Sequence, residues 1–416
     1  MEKLIINGGN RLSGSVKIES AKNSVLPILA GSILAEEQTV IKNCPKIQDV
    51  INMIKILNHL GVKTKFEGEN LIIDAKNASG YELPLDLTKQ LRASVLMLGA
   101  LISRFKKAKI SYPGGCNIGK RPIDLHLKCL KQLGIEVIEK EDFILCKSNK
   151  NTGGIVKLDF PSVGATENLM MVAVLLDGKT EIRNCAREPE IVDLMKFLNK
   201  LGAKIYGAGT STILIEGVKK LKGEEFLPIA DRIELETFIL ATSICGGKLQ
   251  LFNCNYKNIC SFVHKFCDNT CKIYTKNDIM YVTSTGRKKA FSFRTGPYPQ
   301  FPTDLQPQAS VLATIANGTS VITETVFENR FNHLDELKNM GANVKISGRT
   351  AYITGVERLT GCKVCAQDLR GGAALVLAGL NADGQTVVEG VNHIRRGYLD
   401  FDKKLRSIGA NIKIME

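Results

Sequence analysis

The feature that most constrains the fold is a pattern of strand, helix and paired strands that recurs six times. In five copies the second helix is followed by a glycine, at the position where a left-handed residue ends a helix; the sixth (copy four) has Cys267 there. These glycines are Gly61, Gly134, Gly202, Gly341 and Gly409. Each copy therefore predicts a βαβαββ unit, and six such units favour an α/β protein in which helices cover the strands.

The second copy contains an insertion. It spans 24 positions from Ile110 to its helix-end glycine, whereas the first and third copies span 20. The excess falls at PGGC, within the segment YPGGCNIGKRPIDLH at 112–126. An extended glycine-rich loop on a repeated scaffold is more typical of function than of packing. Cys116 lies on this loop, whereas the cysteines in the matching turns of other copies are predicted to be packing residues: Cys44, Cys185 and Cys254.

The inserted loop favours reactive chemistry over phosphate binding by a P-loop. Its GGCNIGK segment is close to a P-loop, but Arg121 stands where the magnesium-binding Ser or Thr should be, and Pro122 follows. Two neighbouring cations, Lys120 and Arg121, would favour the thiolate of Cys116, which suits acid–base or covalent catalysis. The alternative is an inert exposed cysteine.

Composition indicates a globular protein with an excess of positive charge. The 416 residues are 44% hydrophobic and 24% charged, with a net charge of +14. That charge indicates either anionic partners or lysines spread over solvated faces. The lack of Trp and of a long basic run argues against a nucleic-acid platform, and no apolar run is long enough to span a membrane.

The twelve cysteines, without a secretory signal, indicate a reducing cytosolic compartment. Two groups have spacings that resemble zinc sites, CKVC at 362–365 and the cysteines and histidine between 254 and 271. Because these residues fall in strand-like and apolar helical segments, buried small hydrophobic residues are the favoured interpretation.

Several other turns contain polar groups suited to anions. Lys22 and Asn23 begin a helix, where an anion site or a solvated lysine is expected. Arg92 lies among apolar residues, which implies an anionic partner. Asp304 follows a proline at a helix start and is either an N-cap or a general base, and Arg396 lies in the turn of the last copy. Together these turns predict a cleft that binds phosphates and a hydroxyl nucleophile.

Over essentially its whole length the sequence resembles the enolpyruvyl transferase family. The segments that support the resemblance are AKN-x-x-LPIL, LRAS, PGGC-x-IG-x-RP-x-DLH, SVGATEN, EPEI, DRIE, FPTD-x-Q, FENRF, DLR-x-x-A and RGY. The resemblance implies two inside-out α/β barrel domains, each of three βαβαββ repeats with pseudo-threefold symmetry. Residues 21–229 would form the first domain, and residues 1–20 with 230–416 the second.

The resemblance also implies a reaction. The branch of the family that contains the loop cysteine transfers the enolpyruvyl group of phosphoenolpyruvate to the 3′-hydroxyl of UDP-N-acetylglucosamine and releases phosphate, the first committed step of peptidoglycan synthesis. It implies a cytoplasmic enzyme with no metal or cofactor, and no nucleic-acid, membrane or obligate protein partner. The alternatives are a shikimate-type enolpyruvyl transferase, against which Cys116 and the DLH segment argue, and a basic nucleic-acid-binding repeat protein.

The resemblance assigns roles to individual residues. Cys116 would donate a proton to the enolpyruvyl methylene carbon and be alkylated by fosfomycin, and Asp304 would be the base near the 3′-hydroxyl. The phosphoenolpyruvate site would comprise Lys22, Asn23, Arg121 and Arg396, of which Lys22 and Arg396 would also be catalytic residues. The UDP-sugar site would comprise Arg92, Arg121, Pro122, Ile123, Asp124, Leu125, Ser162, Val163, Gly164 and Val326. Asp368 and Arg370 would support the cleft.

The role of Cys116 can be tested by substitution. Cys116→Asp is expected to keep measurable transfer but to become insensitive to fosfomycin, because a carboxylic acid can still donate a proton but is not alkylated in the same way. Phosphate release with and without fosfomycin measures both properties. Equal inhibition of the two forms would show that Cys116 is not the target.

Overall fold

The computed structural model describes residues 2–114, 123–149, 152–266 and 270–415. They divide into two compact units. The terminal unit contains the described residues up to Glu19 and from Ala230 onward, and the inserted unit contains those from Ser20 to Ile229. The chain therefore leaves one unit, completes the other and returns.

The helices of the described residues are α1 (Lys22–Ser32), α2 (Gln48–His59), α3 (Leu85–Gln90), α4 (Met97–Phe105), α5 (Asp124–Gln132), α6 (Val163–Ala173), α7 (Pro189–Lys200), α8 (Arg232–Cys245), α9 (Cys260–Phe266), α10 (Gln306–Thr314), α11 (Asn332–Asn339), α12 (Leu369–Asn381), α13 (Val391–Ile394) and α14 (Phe401–Ser407). Short 3₁₀ turns cover Arg92–Leu96, Tyr256–Asn258 and Thr303–Leu305. Within the described ranges no helix combines the length and the apolar character that a membrane span needs.

The strands are β1 (Lys3–Asn7), β2 (Leu12–Lys17), β3 (Gln38–Ile41), β4 (Lys63–Glu67), β5 (Asn70–Asp74), β6 (Glu82–Leu83), β7 (Lys107–Ser111), β8 (Ile135–Glu139), β9 (Phe143–Ser148), β10 (Ile155–Lys157), β11 (Lys179–Arg183), β12 (Lys204–Tyr206), β13 (Thr212–Glu216), β14 (Glu225–Phe226), β15 (Gly247–Phe252), β16 (Lys272–Lys276), β17 (Ile279–Ser284), β18 (Ser292–Arg294), β19 (Thr319–Thr323), β20 (Asn343–Ser347), β21 (Thr350–Thr354), β22 (Lys363–Cys365), β23 (Gln385–Glu389) and β24 (Asn411–Met415).

The described strands form six sheets of four strands with one common pattern, in which one parallel pair is followed by two antiparallel pairs. The terminal unit has the orders β22-β23-β1-β24, β2-β15-β17-β16 and β18-β19-β21-β20, and the inserted unit has β14-β3-β5-β4, β6-β7-β9-β8 and β10-β11-β13-β12. Three repeats per unit follow directly from this arrangement.

Three sheets are completed by strands from distant parts of the chain. β1 lies between β23 and β24, so that Ile5 pairs with both Val387 and Lys413. β2 pairs in parallel with β15, and β14 pairs in parallel with β3. The crossings between the units therefore preserve the repeat rather than interrupt it.

One helix of each repeat is buried along nearly its whole length. These helices are α1, α4 and α6 in the inserted unit and α8, α10 and α12 in the terminal unit. The sheets, by contrast, alternate buried and more exposed residues, so each has one face toward the helices and one toward solvent. Helices inside and sheets outside make each unit an inside-out α/β barrel, which confirms the predicted fold class.

The five helix-end glycines adopt the predicted left-handed conformation. Their φ angles are +84° at Gly61, +75° at Gly134, +105° at Gly202, +89° at Gly341 and +99° at Gly409. A residue with a Cβ would be strained there, which explains why glycine recurs at this point of the repeat. Cys267, at the corresponding place in the fourth copy, lies outside the described residues.

The turn cysteines follow the prediction in two copies out of three. Cys44 and Cys185 are buried, and burial raises the pKa of each thiol to about 12. Cys254 is only half-buried against the core. The prediction of burial is wrong for Cys365, which is exposed because the alternation of the edge strand β22 places its neighbour Val364 inward. The ten cysteines that the structure describes are all free thiols.

Asp193 joins three segments of the inserted unit. This α7 residue is 2% exposed, and its carboxylate accepts hydrogen bonds from the Ser24 hydroxyl of α1 and from the Ile229 N–H at 3.0 Å. Burial nevertheless dominates and raises the pKa of Asp193 from 3.8 to about 6. The contact therefore positions α1, but it requires a buried carboxyl group whose ionisation is unfavourable.

The raised pKa of Asp193 has a predicted effect on stability. Between about pH 4 and pH 6 the unfolded chain has lost this proton and the folded chain retains it, so this group lowers the free energy of unfolding as the pH rises. Asp193→Asn removes the titration and keeps an acceptor for Ile229. The stability of the variant relative to the unchanged protein is expected to rise by up to about 3 kcal/mol over this range. Urea unfolding at pH 4 and pH 6 measures it; a difference independent of pH would contradict the assignment.

Candidate active site

The predicted site residues fall on both units. Cys116, Arg121 and Pro122 lie outside the described residues. The other predicted residues cluster at the N-terminal ends of helices or in the turns that precede them.

In the inserted unit, Lys22 and Asn23 begin α1. The Lys22 Nζ lies 3.3 Å from Oδ2 of Asp49, a carboxylate on α2 that is almost wholly buried. The ion pair holds the lysine side chain, itself only 13% exposed, beside the first turn of the helix. A helix N-terminus next to an oriented ammonium group is suited to an anionic ligand, as predicted.

Arg92 begins the 3₁₀ turn that leads into α4. Its Nη1 donates a hydrogen bond to the Pro113 carbonyl at 3.4 Å, just before the inserted loop. The guanidinium is half-buried, so the predicted burial among apolar residues is only partly correct: Ser94, Val95 and Leu96 are buried, and Arg92 lies at their edge.

The predicted UDP-sugar residues lie at the N-terminal ends of two helices that pack together, α5 and α6. Ile123 is the buried N-cap of α5, and the exposed Asp124 and half-buried Leu125 follow. Ser162 is the N-cap of α6, and its Oγ accepts a hydrogen bond from the Ala165 N–H at 3.4 Å. Val163 and Gly164, both half-buried, form the first turn of α6.

A buried histidine between these helices was not among the predicted site residues. Nδ1 of His126 lies 2.8 Å from Nδ2 of Asn168. Burial, reinforced by Arg92, lowers the pKa of His126 from 6.5 to about 4, so the imidazole is neutral at physiological pH. The DLH segment contained the histidine, but its partner is 42 residues away and no spacing rule connects the two.

In the terminal unit, Asp304 lies between two buried guanidinium groups. Its Oδ1 accepts a hydrogen bond from Nη2 of Arg330 at 2.8 Å, and its Oδ2 lies 3.3 Å from Nη2 of Arg370. Both arginine side chains are at most 3% exposed, whereas the Asp304 side chain is 28% exposed. The N-cap interpretation is wrong, because Asp304 lies within the Thr303–Leu305 turn and the cap of that turn is Pro302.

Asp368 is the second carboxylate of this cluster. It is the N-cap of α12, and Oδ1 accepts hydrogen bonds from the N–H groups of Arg370 and Gly371, each at 3.0 Å. The same oxygen lies 3.7 Å from Nη1 of Arg330. Arg330 belongs to the FENRF segment but was not predicted as a site residue; the acid and arginine paired in that turn, Glu328 and Arg330, are the sequence signal that could have found it.

The remaining predicted residues lie close to this cluster along the chain or in space. Glu324 accepts hydrogen bonds from the Val326 N–H at 2.7 Å and the Thr303 hydroxyl at 3.0 Å, so it ties the loop of Val326 to the turn of Asp304. Arg396 lies in the turn after α13. Burial and the positive charge of Arg396 lower the pKa of His393, while Asp368 opposes this effect, so all three residues lie in one electrostatic neighbourhood.

Comparison with known proteins identifies the family. A family profile described as EPSP synthase (3-phosphoshikimate 1-carboxyvinyltransferase) matches residues 6–405. The chain belongs to this family of enolpyruvyl transferases. The family resemblance drawn from the sequence segments is thereby confirmed.

Relatives of known name match the enolpyruvyl transferase along its whole length. UDP-N-acetylglucosamine 1-carboxyvinyltransferase 2 of Caldanaerobacter subterraneus subsp. tengcongensis is 51% identical over 413 residues, which is 99% of each chain. The enzyme of the same name from Clostridium tetani is 50% identical over 414 residues, again 99% of each chain.

Solved structures agree with the fold. The enolpyruvyl transferase NikO from Streptomyces tendae superposes with a TM-score of 0.89 at 25% identity, covering 100% of this chain and 99% of that one. EPSP synthase from Acinetobacter baumannii gives a TM-score of 0.77 at 15% identity with full coverage of both chains, a likeness that concerns the fold alone.

Proposed function

We propose that this enolpyruvyl transferase joins the enolpyruvyl group of phosphoenolpyruvate to the 3′-hydroxyl of UDP-N-acetylglucosamine and releases phosphate, as the first committed step of peptidoglycan synthesis. The names of the relatives near 50% identity support this acceptor. The main structural support for the reaction is the Asp304 carboxylate, which is partly exposed and is oriented by Arg330 and Arg370.

In the proposed reaction Asp304 takes the proton of the 3′-hydroxyl as its oxygen bonds to C2 of phosphoenolpyruvate. The thiol of Cys116 gives a proton to C3, which becomes a methyl group. Phosphate then leaves from C2 with the proton that Asp304 had taken, while C3 returns a proton to the thiolate of Cys116 and the enol double bond is restored. Both side chains thus end in the protonation state in which they began. Its two arginine partners keep Asp304 ionised and fix its orientation, and the exposed part of its side chain can reach a substrate hydroxyl.

The predicted cations suit the two anionic substrates. Lys22, Arg121 and Arg396 would hold phosphoenolpyruvate with Asn23 beside them. Arg92 and the N-terminal ends of α5 and α6 would contact the UDP-sugar, with Ser162–Gly164 at its diphosphate. The net charge of +14 also favours encounter with anions. We place the enzyme in the cytoplasm, an inference supported by free thiols at all described cysteines.

A shikimate-type acceptor is the second candidate, because the family description names 3-phosphoshikimate. Purified protein is expected to release phosphate from phosphoenolpyruvate only when UDP-N-acetylglucosamine is added. Parallel reactions with shikimate 3-phosphate and with no acceptor are the controls. Release with shikimate 3-phosphate, or none with the UDP-sugar, would overturn the proposed function.

Asp304 can be tested as the base. Asp304→Ala is expected to lower turnover by about 10²–10⁴-fold because the hydroxyl loses its proton acceptor, while substrate binding largely survives. Asp304→Asn keeps the shape between the two arginines and should lose turnover as well. Calorimetry with UDP-N-acetylglucosamine measures binding separately.

The control is Asp335→Ala, which removes an exposed carboxylate on α11 of the same unit and should leave turnover unchanged. Near-normal turnover of Asp304→Ala would remove this residue as the base.

A further inference from the structure

A single buried amide, that of Asn168, connects the segments of the inserted unit that contain the predicted UDP-sugar residues. Asn168 lies in α6 and is 1% exposed. Its Oδ1 accepts a hydrogen bond from the Gly99 N–H at 2.7 Å. Its Nδ2 donates to the Val95 carbonyl at 3.1 Å and faces Nδ1 of His126 at 2.8 Å.

The backbone partners fix the orientation of this amide. The Gly99 N–H requires an acceptor and the Val95 carbonyl requires a donor, so exchange of Oδ1 and Nδ2 would set like groups against each other at both contacts. The second hydrogen of Nδ2 is therefore directed at His126. Nδ1 of His126 must accept it, and the neutral imidazole must hold its proton on Nε2.

The two backbone groups are the pair that a continuous α-helix would join. Val95 and Gly99 are four residues apart, and in an α-helix the N–H of the second bonds to the carbonyl of the first. Here the Asn168 side chain bridges them, and regular α-helix begins only at Met97 after the 3₁₀ turn Arg92–Leu96. A side chain inserted into the helical ladder bends the backbone, so this bridge sets the direction of the turn that begins with Arg92.

The same amide reaches the two other segments. His126 follows Leu125 on α5, and the Cε1–Nε2 edge of its ring faces Gly164 in the first turn of α6. A Cβ built at Gly164 would lie only 3.0 Å from Cε1 of His126, so the ring and the helix end are in close contact. The Asn168 amide thus contacts both His126 and the helical segment that begins with Arg92.

We propose that Asn168 is a positioning residue for nucleotide-sugar binding: its amide bridges Val95 and Gly99, holds His126 as the Nε2–H tautomer, and so fixes Arg92, the start of α5 and the start of α6 relative to one another. The inference rests on the proposed function, since the sugar nucleotide is the ligand that these three segments are expected to share. Asn168 itself need not touch the ligand.

The test is Asn168→Asp. The carboxylate matches the amide in shape and still accepts from Gly99, but it has no N–H for the Val95 carbonyl and it favours a proton on His126, beside Arg92. The KM for UDP-N-acetylglucosamine is expected to rise about tenfold or more, with kcat within about threefold and the KM for phosphoenolpyruvate unchanged.

The matched control is Asn199→Asp in α7 of the same unit. Asn199 also bridges two backbone groups, accepting from the Ile205 N–H and donating to the Ile205 carbonyl, each at 2.8 Å, but it lies near the C-terminal end of α7, a helix that contains none of the predicted site residues. This variant is expected to keep both kinetic constants. A KM that stays within twofold in folded Asn168→Asp, or an equal change in the two variants, would overturn the proposal.

The unchanged protein provides a measurement that needs no variant. With only five histidines in the chain, NMR of labelled imidazoles can assign His126. The proposal requires the Nε2–H tautomer and a ring that is still neutral at pH 5.5; an Nδ1–H tautomer or protonation at that pH would overturn it even if Asn168→Asp failed to fold. Failure of the proposed function is distinguishable, because it would appear as no UDP-sugar-dependent phosphate release by the unchanged protein.

Discussion

The complete burial of one helix per repeat constrains where this protein can place charge. Side chains along α1, α4, α6, α8, α10 and α12 are surrounded by other protein atoms, and an unpaired charge in such surroundings is strongly unfavourable. Several of the charged or capping side chains lie instead at the N-terminal ends of these helices. Lys22, Ser162, Asp231 and Asp368 all occupy such positions. Packing of each barrel thus leaves these helix ends as places where charged groups can meet a ligand.

The charges at these helix ends are held by partners before any ligand binds. In the terminal unit two carboxylates, Asp304 and Asp368, alternate with two guanidinium groups, those of Arg330 and Arg370. Each carboxylate oxygen of Asp304 faces a different guanidinium group, so the carboxylate is held in one orientation. A fixed orientation suits a base that must meet one hydroxyl group.

The sequence predicted what the repeat dictates and missed what depends on long-range contacts. The glycine φ angles, the three repeats per unit and the positions of Lys22 and Asp304 near helix starts follow from periodicity or from quoted segments. The partners of Asp304 do not, since Arg330 and Arg370 are 26 and 66 residues away. Asn168 was equally hidden, because an asparagine within an apolar helix gives no sign of the two backbone groups that it bridges. The segment of Cys116 lies outside the described residues, so its role stays a prediction.

The exchange of strands across the ends of the chain has a consequence for biosynthesis. All the strands of the inserted unit lie between Gln38 and Phe226, so this unit can complete its three sheets while the ribosome is still translating the rest. The terminal unit contains β1 and β2, which are made first, but β1 has an unpaired edge until β24 is synthesised. An exposed strand edge is a site for unwanted pairing. The strand β1 is thus synthesised first and completes its pairing last. Its open edge is therefore where the nascent chain is most prone to aggregation.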